Sequence, residues 1–217
     1  MEGVFEVIQT LIAVLVAITF HEFAHGYVSY KLGDPTPKQT GRLSLNPFRH
    51  LDFLGTICLM VVHFGWAKPV QVNPNYYKKP KQGMVLVALG GPVMNFFIAL
   101  ISVFFMGVIL KVTGGQVTVG YMGDIIIFTY GLLQMLAIIN LSLGIFNLIP
   151  IPPLDGSKIL GAVLPQDKYF KYMRYERFGY LALLLILSFD VLRTPLNIAM
   201  SGMYEGIWSI VGLILGI

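Results

Sequence analysis

The chain has 217 residues, of which 56% are hydrophobic and only 12% are charged. Soluble domains carry charge on about a quarter of their residues, so this composition excludes a soluble globular protein and predicts a polytopic membrane protein. The formal net charge of +4 is better explained as a topology signal than as a nucleic-acid-binding surface, and no nucleic-acid partner is expected. The single cysteine, Cys58, excludes an internal disulfide and a thiolate-rich metal site.

The first apolar segment, Val4–Tyr30, predicts a membrane-spanning helix that carries the letters HEFAH near its far end. Glycines and prolines mark Lys31–His50 as a loop. The next apolar stretch, Phe53–Trp66, is too short for a span and predicts a re-entrant element that enters and leaves the membrane on one face. After it, the weak alternation of GWAKPVQVNP, closed by Pro74, predicts a short β hairpin.

Further apolar segments of spanning length follow along the chain. Gly83–Val112 is long, and we expect the letters GGPVMN to break it. Ile125–Ile149 predicts the next span, which is followed by PIPPLDG. Phe178–Leu192 and Leu196–Ile217 predict two more spans, separated by RTP.

The predicted fold class is therefore an all-α polytopic membrane protein with about five transmembrane helices, plus a re-entrant segment with a short β hairpin. We expect a single membrane-embedded domain over residues 1–217, because the chain leaves no room for a separate soluble domain. Its core would be residues 4–160, and residues 178–217 would add two C-terminal helices.

The basic residues predict the orientation in the membrane. Of the 15 Lys and Arg residues, all but Lys111 and Arg193 lie in three loops, Lys31–His50, Ala67–Gly83 and Gly156–Arg177. Basic loops stay in the cytoplasm, so these three are expected on the same side of the bilayer. The N-terminus would then lie outside and the C-terminus in the cytoplasm, with HEFAH near the cytoplasmic side.

Two histidines in the first span have the spacing of a zinc site. His21 and His25 are four residues apart, so on a helix they share a face, with Cβ atoms about 6 Å apart. Glu22 is offset around the helix, where it can act as general base on a water near the metal. This is the H-E-x-x-H arrangement of zinc metalloproteases. Ionisable residues in an apolar span are rare and usually functional, which favours a zinc site over a purely structural histidine pair.

Catalytic zinc needs three protein ligands, so the third must come from another part of the chain. Asp155 in NLIPIPPLDGSK is favoured, because it is predicted on the same side as the histidines and because prolines hold its backbone out of regular helix. A helix N-cap is an equal alternative for this carboxylate. The competing ligands are Asp52, Asp124, Asp190, Glu205, His50 and His63. We expect His50 to be solvated in its loop and His63 to be an interfacial or hydrogen-bonded histidine.

These residues resemble the site-2 protease family of intramembrane zinc metalloproteases. HEFAH near the end of an early span is similar to one family motif, and NLIPIPPLDG fits the family pattern N-x-x-P-x-P-x-L-D-G beginning at Asn147. The segments GRLSLNPFRHLDFLGT, GWAKPVQVNP and ALGGPVMNFFIAL, the last with Gly91 and Asn95, also resemble family segments. The resemblance covers most of the chain, from Ile18 to Leu160, and is to the minimal members, which have no PDZ or CBS domain.

The resemblance implies an intramembrane metalloprotease that hydrolyses peptide bonds within or next to transmembrane helices of other membrane proteins. It implies one zinc ion per chain, held by His21, His25 and Asp155, with Glu22 as the catalytic base. The implied substrate-binding residues are Asn147, Asn95, Val70 and Val72, although interhelical hydrogen bonding is an equal alternative for Asn95. The expected partners are transmembrane-helix substrates and the lipid bilayer, in a prokaryotic cell membrane.

The residues leave two alternative functions. An intramembrane metal-ion transporter would use the same ligands but would need polar residues continuing across the bilayer. The outer halves of the spans offer only Glu6, Gln9, Thr10, Thr129 and Gln134. An inactive homologue that binds membrane proteins without cutting them is disfavoured, because no residue of the H-E-x-x-H motif or of LDG is missing.

Overall fold

The computed structural model describes residues 2–52, 55, 68–116, 120–165, 168, 172, 179, 183 and 192–217. In these residues, helices dominate. The elements, in chain order, are α1 (Glu2–Lys31), the short α2 (Thr36–Gln39), 3-10 turns at Pro47–Arg49 and Pro74–Tyr76, α3 (Pro80–Thr113), α4 (Tyr121–Asn147), α5 (Asp155–Val163) and α6 (Arg193–Leu215).

Of the described helices, α1, α3, α4 and α6 are long and apolar enough to cross a membrane. The shortest has 23 residues, or about 34 Å at 1.5 Å per residue, against a hydrocarbon core about 30 Å thick. This confirms an all-α integral membrane protein. The predicted span Phe178–Leu192 and the predicted re-entrant stretch Phe53–Trp66 lie outside the described residues, apart from single positions.

Helix α3 is continuous through the letters GGPVMN, so the predicted break was wrong. Pro92 inside it is fully buried. Proline leaves a backbone carbonyl of the preceding turn without its hydrogen bond, and lipid cannot supply a replacement. A proline is therefore tolerated in a membrane-spanning helix where neighbouring protein groups can satisfy that carbonyl. A Cβ on Gly90 would lie only 3.2 Å from the Ala24 carbonyl oxygen. This glycine therefore allows close packing of α3 on α1.

The predicted β hairpin is absent from the described residues of its segment. Residues 68–73 belong to no strand, and residues 65–67, the rest of that motif, lie outside the described part of the chain. The segment is held by hydrogen bonds from its backbone to the side chains of Glu22 and Asp34 instead.

The chain divides into two compact units. The first contains Met1–Ala17, Asn95–Ile145 and Leu192–Ile217. Its core is formed by Val103, Ala137 and Val211, with Phe104, Tyr204, Ile207, Trp208 and Leu215 packed against them. Gln9 Nε2 donates a hydrogen bond to the Phe128 carbonyl oxygen at 2.9 Å. Such contacts satisfy polar groups that would otherwise face lipid without a partner.

The second unit contains Ile18–Met94 and Phe146–Val191. It therefore holds the HEFAH end of α1, the beginning of α3 and the LDG turn into α5. Several polar side chains are buried in it: His21, His25, Ser29, Asp34, His50 and Asp155. Polar groups are buried at this density only when they bind one another or a ligand, and His21, His25 and Asp155 belong to the predicted site.

Candidate metal centre

His21 and His25 meet on one buried face of α1. The helix places residues four apart one turn above each other, and here the ring centroids are 4.6 Å apart with planes at 86°. The two Nε2 atoms lie 3.0 Å from each other. Both side chains are almost fully buried, at 5% and 8% exposure. The spacing in the sequence therefore becomes a convergence of two ring nitrogens on one point.

Asp155 brings a carboxylate oxygen to the same point from a distant part of the chain. Its Oδ2 lies 3.1 Å from Nε2 of His21 and 3.1 Å from Nε2 of His25. Asp155 is the first residue of α5, whose N-cap position is Leu154. The described contacts of the carboxylate are to the two histidines and, at 3.5 Å, to Lys158 Nζ. The carboxylate thus makes no capping bond, and the N-cap alternative has no support in this geometry.

The backbone before α5 is folded tightly enough to aim this carboxylate. A Cβ on Gly156 would lie 2.2 Å from the Leu148 carbonyl oxygen, so only glycine fits beside Asp155. Burial raises the pKa of the Asp155 carboxyl, but the charge of His25 and the hydrogen bonds from both imidazoles outweigh burial and hold that pKa well below its ordinary value. The carboxylate is therefore ionised, as a metal ligand must be.

The donor set fits a zinc ion. His25 Nδ1 lies 2.6 Å from the Val87 carbonyl oxygen, and a carbonyl can only accept, so the proton of a neutral His25 is on Nδ1. In the absence of metal, a second proton on Nε2 makes the hydrogen bond to Asp155 Oδ2. A zinc ion would take the place of that proton, because imidazole and carboxylate ligands bind metal through deprotonated atoms. The donor atoms of the three residues all lie within 4.8 Å of one another, and ligand atoms around tetrahedral zinc are about 3.3 Å apart.

Gly91 on α3 forms one wall of this cluster. A Cβ there would lie 2.5 Å from His21 Cε1, 2.6 Å from His21 Nε2 and 2.6 Å from His25 Nε2. Such distances are far inside van der Waals contact, so no other residue fits without moving the imidazoles. The resemblance included Gly91 in a family segment, but the sequence gave no sign that this glycine touches the histidines.

Glu22 is half-buried, and its described hydrogen bond is to the extended segment of residues 68–73. Its Oε2 accepts a hydrogen bond from the Val70 backbone N–H at 3.1 Å. This bond orients the carboxylate beside the cluster. It also brings Val70, a predicted substrate-binding residue, next to the predicted base.

A second polar cluster, missed in the sequence, anchors the same segment. Asp34 is fully buried, and its carboxylate accepts hydrogen bonds from Asn73 N–H at 2.7 Å, Ser29 Oγ at 2.8 Å and Thr36 N–H at 2.9 Å. Ser29 Oγ is also 2.7 Å from Tyr77 Oη. Burial raises the pKa of Asp34, but these hydrogen bonds outweigh it and lower the pKa below its ordinary value. The only signal in the sequence was the turn-forming letters GDP.

The other predicted residues fall in different places. Asn147 ends α4 and is half-buried. Asn95 is fully buried, and its Nδ2 donates to Asn140 Oδ1 at 2.7 Å and to the Ala17 carbonyl oxygen at 3.2 Å, which supports the interhelical alternative. Val72 lies in the extended segment after Val70.

The competing third ligands do not form a metal site in the described part of the chain, where the metal-binding group consists of His21, His25 and Asp155. His63 and Asp190 lie outside the described residues. The expectation that His50 is solvated was wrong: it is fully buried, and its Nε2 donates to the Ser44 carbonyl oxygen at 2.7 Å. The turn at Pro47–Arg49 leads directly into His50 and lets its imidazole reach the Ser44 carbonyl, which loop composition alone did not reveal.

Comparison with known proteins agrees with this chemistry. The profile of peptidase family M50 matches residues 9–189. YwhC of Bacillus subtilis, which bears the name of a zinc metalloprotease, is 41% identical over 179 residues, covering 81% of this chain and 78% of YwhC. Zinc metalloprotease MJ0392 of Methanocaldococcus jannaschii is 31% identical over 163 residues, covering 75% of this chain and 36% of its own length. No solved structure matches the chain.

Proposed function

The chain belongs to peptidase family M50, and from that premise we propose that His21, His25 and Asp155 hold its catalytic zinc ion while Glu22 is its general base. The protein is a zinc metalloprotease of the intramembrane, site-2 type. The observation that supports the assignment best is the convergence of three buried donor atoms within 4.8 Å, two on a spanning helix and one on a distant turn. We propose one zinc ion per chain at this point.

The roles of the side chains follow from their positions. When bound, zinc supplies Lewis acidity, which acidifies water and polarises the scissile carbonyl. Glu22 takes a proton from the attacking water as the new C–O bond forms at the carbonyl carbon. It returns the proton to the amide nitrogen as the C–N bond breaks, so that a carboxylic acid and an amine leave. The hydrogen bond from the Val70 N–H to Oε2 holds the Glu22 carboxylate in one rotamer.

We propose that the extended segment at Val70–Val72 receives the unwound substrate. A helix hides its amides in internal hydrogen bonds, so a transmembrane substrate must unwind before hydrolysis. In the described structure, Gln71 and Val72 make no backbone hydrogen bonds, while the Glu22 and Asp34 carboxylates hold the N–H groups of Val70 and Asn73. A held segment with unpaired backbone groups is suited to pairing with a peptide as an added strand.

We propose that Asn147 also contacts the substrate, because it ends α4 directly before the turn that leads to Asp155. Asn95 fits the substrate role less well, since its amide nitrogen already donates to two partners in the protein. Its proposed role is to hold helices together. The substrates are transmembrane helices of other membrane proteins.

For the arrangement in the membrane, we propose a single membrane-embedded domain over residues 1–217 with the N-terminus outside and the C-terminus in the cytoplasm. The basic loops support this orientation. It places the zinc site near the cytoplasmic side of a prokaryotic cell membrane. A re-entrant stretch at Phe53–Trp66 and a span at Phe178–Leu192 remain part of the proposal.

The assignment of Glu22 is tested with Glu22→Gln in proteoliposomes that contain a panel of single-span membrane proteins. Removing the base should lower cleavage by at least about 100-fold, the lower range for general-base catalysis, while one zinc per chain remains by elemental analysis. The matched control is Glu6→Gln, since Glu6 is an exposed glutamate on the same helix, and it should cleave like the wild type.

Two results would contradict the assignment. If zinc-loaded Glu22→Gln cleaves its substrates at the wild-type rate, Glu22 is not the general base. Loss of zinc in Glu22→Gln would make the residue part of the metal site instead. Zinc flux into the same vesicles, without cleavage of any substrate, would support a metal-ion transporter instead.

A further inference from the structure

A cavity of about 280 Å³ lies in the second unit, away from the zinc ligands. Three cationic residues line it, Arg42, Arg49 and Lys68, together with Thr40, Gly41 and Phe48. The proposed reaction uses none of them. Two come from the loop after α2, and Lys68 comes from the segment that leads to Val70.

The cations have no acidic partner in the part of the chain that the structure describes. Arg42 is buried, at 6% exposure, and its Nη1 donates to the Arg49 carbonyl oxygen. Arg49 Nη1 donates to the Gly41 carbonyl oxygen at 3.0 Å. A guanidinium has five N–H donors, so most donors of both arginines are unused by these contacts. A Cβ on Gly41 would lie 2.7 Å from Arg49 Nη1, so glycine leaves room for the guanidinium.

Such an arrangement is costly unless an anion completes it. Burial of the Arg42 charge costs several kcal/mol without a partner, and the exposed Arg49 and Lys68 add like charges around the same cavity. Backbone carbonyls satisfy single donors but cancel no charge. A phosphate group carries negative charge and several acceptor oxygens, and the fork of an arginine matches two of those oxygens at once.

We propose that this cavity binds a phosphate group, supplied by the headgroup of an anionic phospholipid or by free phosphate. The loop follows the end of a spanning helix at Lys31, so it lies where headgroups are found, and basic pockets at such positions bind lipid headgroups. Lys68 N–H donates to the His50 carbonyl oxygen at 2.9 Å. A bound phosphate would therefore clamp the loop to the segment that carries Val70.

The test uses the full chain, delipidated in neutral detergent, with two probes. The first is inorganic phosphate, followed by the thermal unfolding midpoint against sodium chloride at matched ionic strength. The second is phosphatidylglycerol compared with phosphatidylcholine, followed by retained lipid in native mass spectrometry. The variant is Arg49→Gln with Lys68→Gln. The control is Lys78→Gln with Lys79→Gln, which removes the same charge from exposed lysines outside the cavity.

The wild type and the control should bind at least one probe with equal affinity. The cavity variant should bind that probe at least about tenfold more weakly, because each lost charged hydrogen bond lowers the affinity by roughly a factor of ten. Binding of phosphatidylglycerol alone identifies the lipid as the source, and binding of inorganic phosphate identifies free phosphate as sufficient. Equal binding by the wild type and the cavity variant overturns the proposal. If the double variant does not fold, Lys68→Gln alone decides, because that side chain is exposed.

Discussion

A methyl group at position 91 would lie against both histidines of the candidate metal centre. In Gly91→Ala the new carbon would start 2.6 Å from Nε2 of His21 and 2.6 Å from Nε2 of His25. Ordinary contact needs at least 3.4 Å, so each nitrogen would have to move by about 0.8 Å, the difference between the two. Zinc sites tolerate ligand distances within about 0.2 Å of ideal. The displacement is therefore about four times what the site can absorb.

The expected result of Gly91→Ala is a loss of zinc without a loss of fold. Alanine is the better helix former by about 1 kcal/mol, which offsets part of the overpacking cost of about 1–3 kcal/mol. Mutation of a partner outside the ligand shell weakens metal binding by about 10- to 100-fold. Direct displacement of two ligands should reach at least the upper end, about 100-fold, with proteolysis lost in parallel.

The assay is zinc affinity by competition with a coloured chelator, with helical content followed by circular dichroism. Gly90→Ala is the matched control, because the three atoms nearest to its methyl belong to Ala24 and Val28, at 3.2 to 3.4 Å. It should cost some stability and keep zinc. If Gly91→Ala binds zinc with wild-type affinity, His21 and His25 do not hold the metal at this point.

Three further predictions concern the surroundings of the site. Val70→Pro removes the N–H that orients Glu22, so kcat should fall by at least about tenfold while zinc content stays the same; an unchanged kcat would remove Val70 from the positioning of the base. Asp34→Asn replaces a carboxylate oxygen that accepts two bonds, so the free energy of unfolding should fall by about 1–3 kcal/mol near neutral pH, whereas the exposed Asp124→Asn should change it by less than about 0.5 kcal/mol. The pKa of Asp34 is lowered in the folded state, so its contribution to the free energy of unfolding is present above about pH 4 and is lost as the pH falls. The unfolding midpoints of the wild type and Asp34→Asn should therefore converge in acid. Midpoints that stay equally far apart at every pH would contradict this. Removal of zinc by a chelator should abolish cleavage and lower the unfolding midpoint, and added zinc should restore both; activity that survives complete zinc removal would argue against a metalloprotease.

The spanning helices and the histidines of the proposed metal site could be predicted because each depends on residue type at short range. A run of apolar residues crosses a bilayer wherever it is placed, and residues four apart on any helix share a face. His21 and His25 were therefore tied together by spacing alone. Asp155 was reached by a weaker route, through the charges that put two loops on one side of the membrane.

The tertiary structure decided which backbone groups bond to the site and where a side chain must be missing. The Val87 carbonyl and the Val70 N–H are backbone groups that almost every residue type carries, so no sequence pattern marks their bonds to His25 and Glu22. Gly91 matters because of what it lacks, and only the neighbouring imidazoles reveal why. The continuity of α3 likewise depended on packing, because local propensity at a proline favours a break.

The letters HEFAH by themselves determined that two imidazoles share one face of a helix with a carboxylate beside them, which is the arrangement proposed to bind the metal and carry the proton, since one helical turn sets those relations. They did not determine how the centre is closed. That required Asp155, Gly91 and the segment at Val70 to arrive from distant parts of the chain, and long-range packing, unlike helix spacing, depends on all the residues that fill the space between.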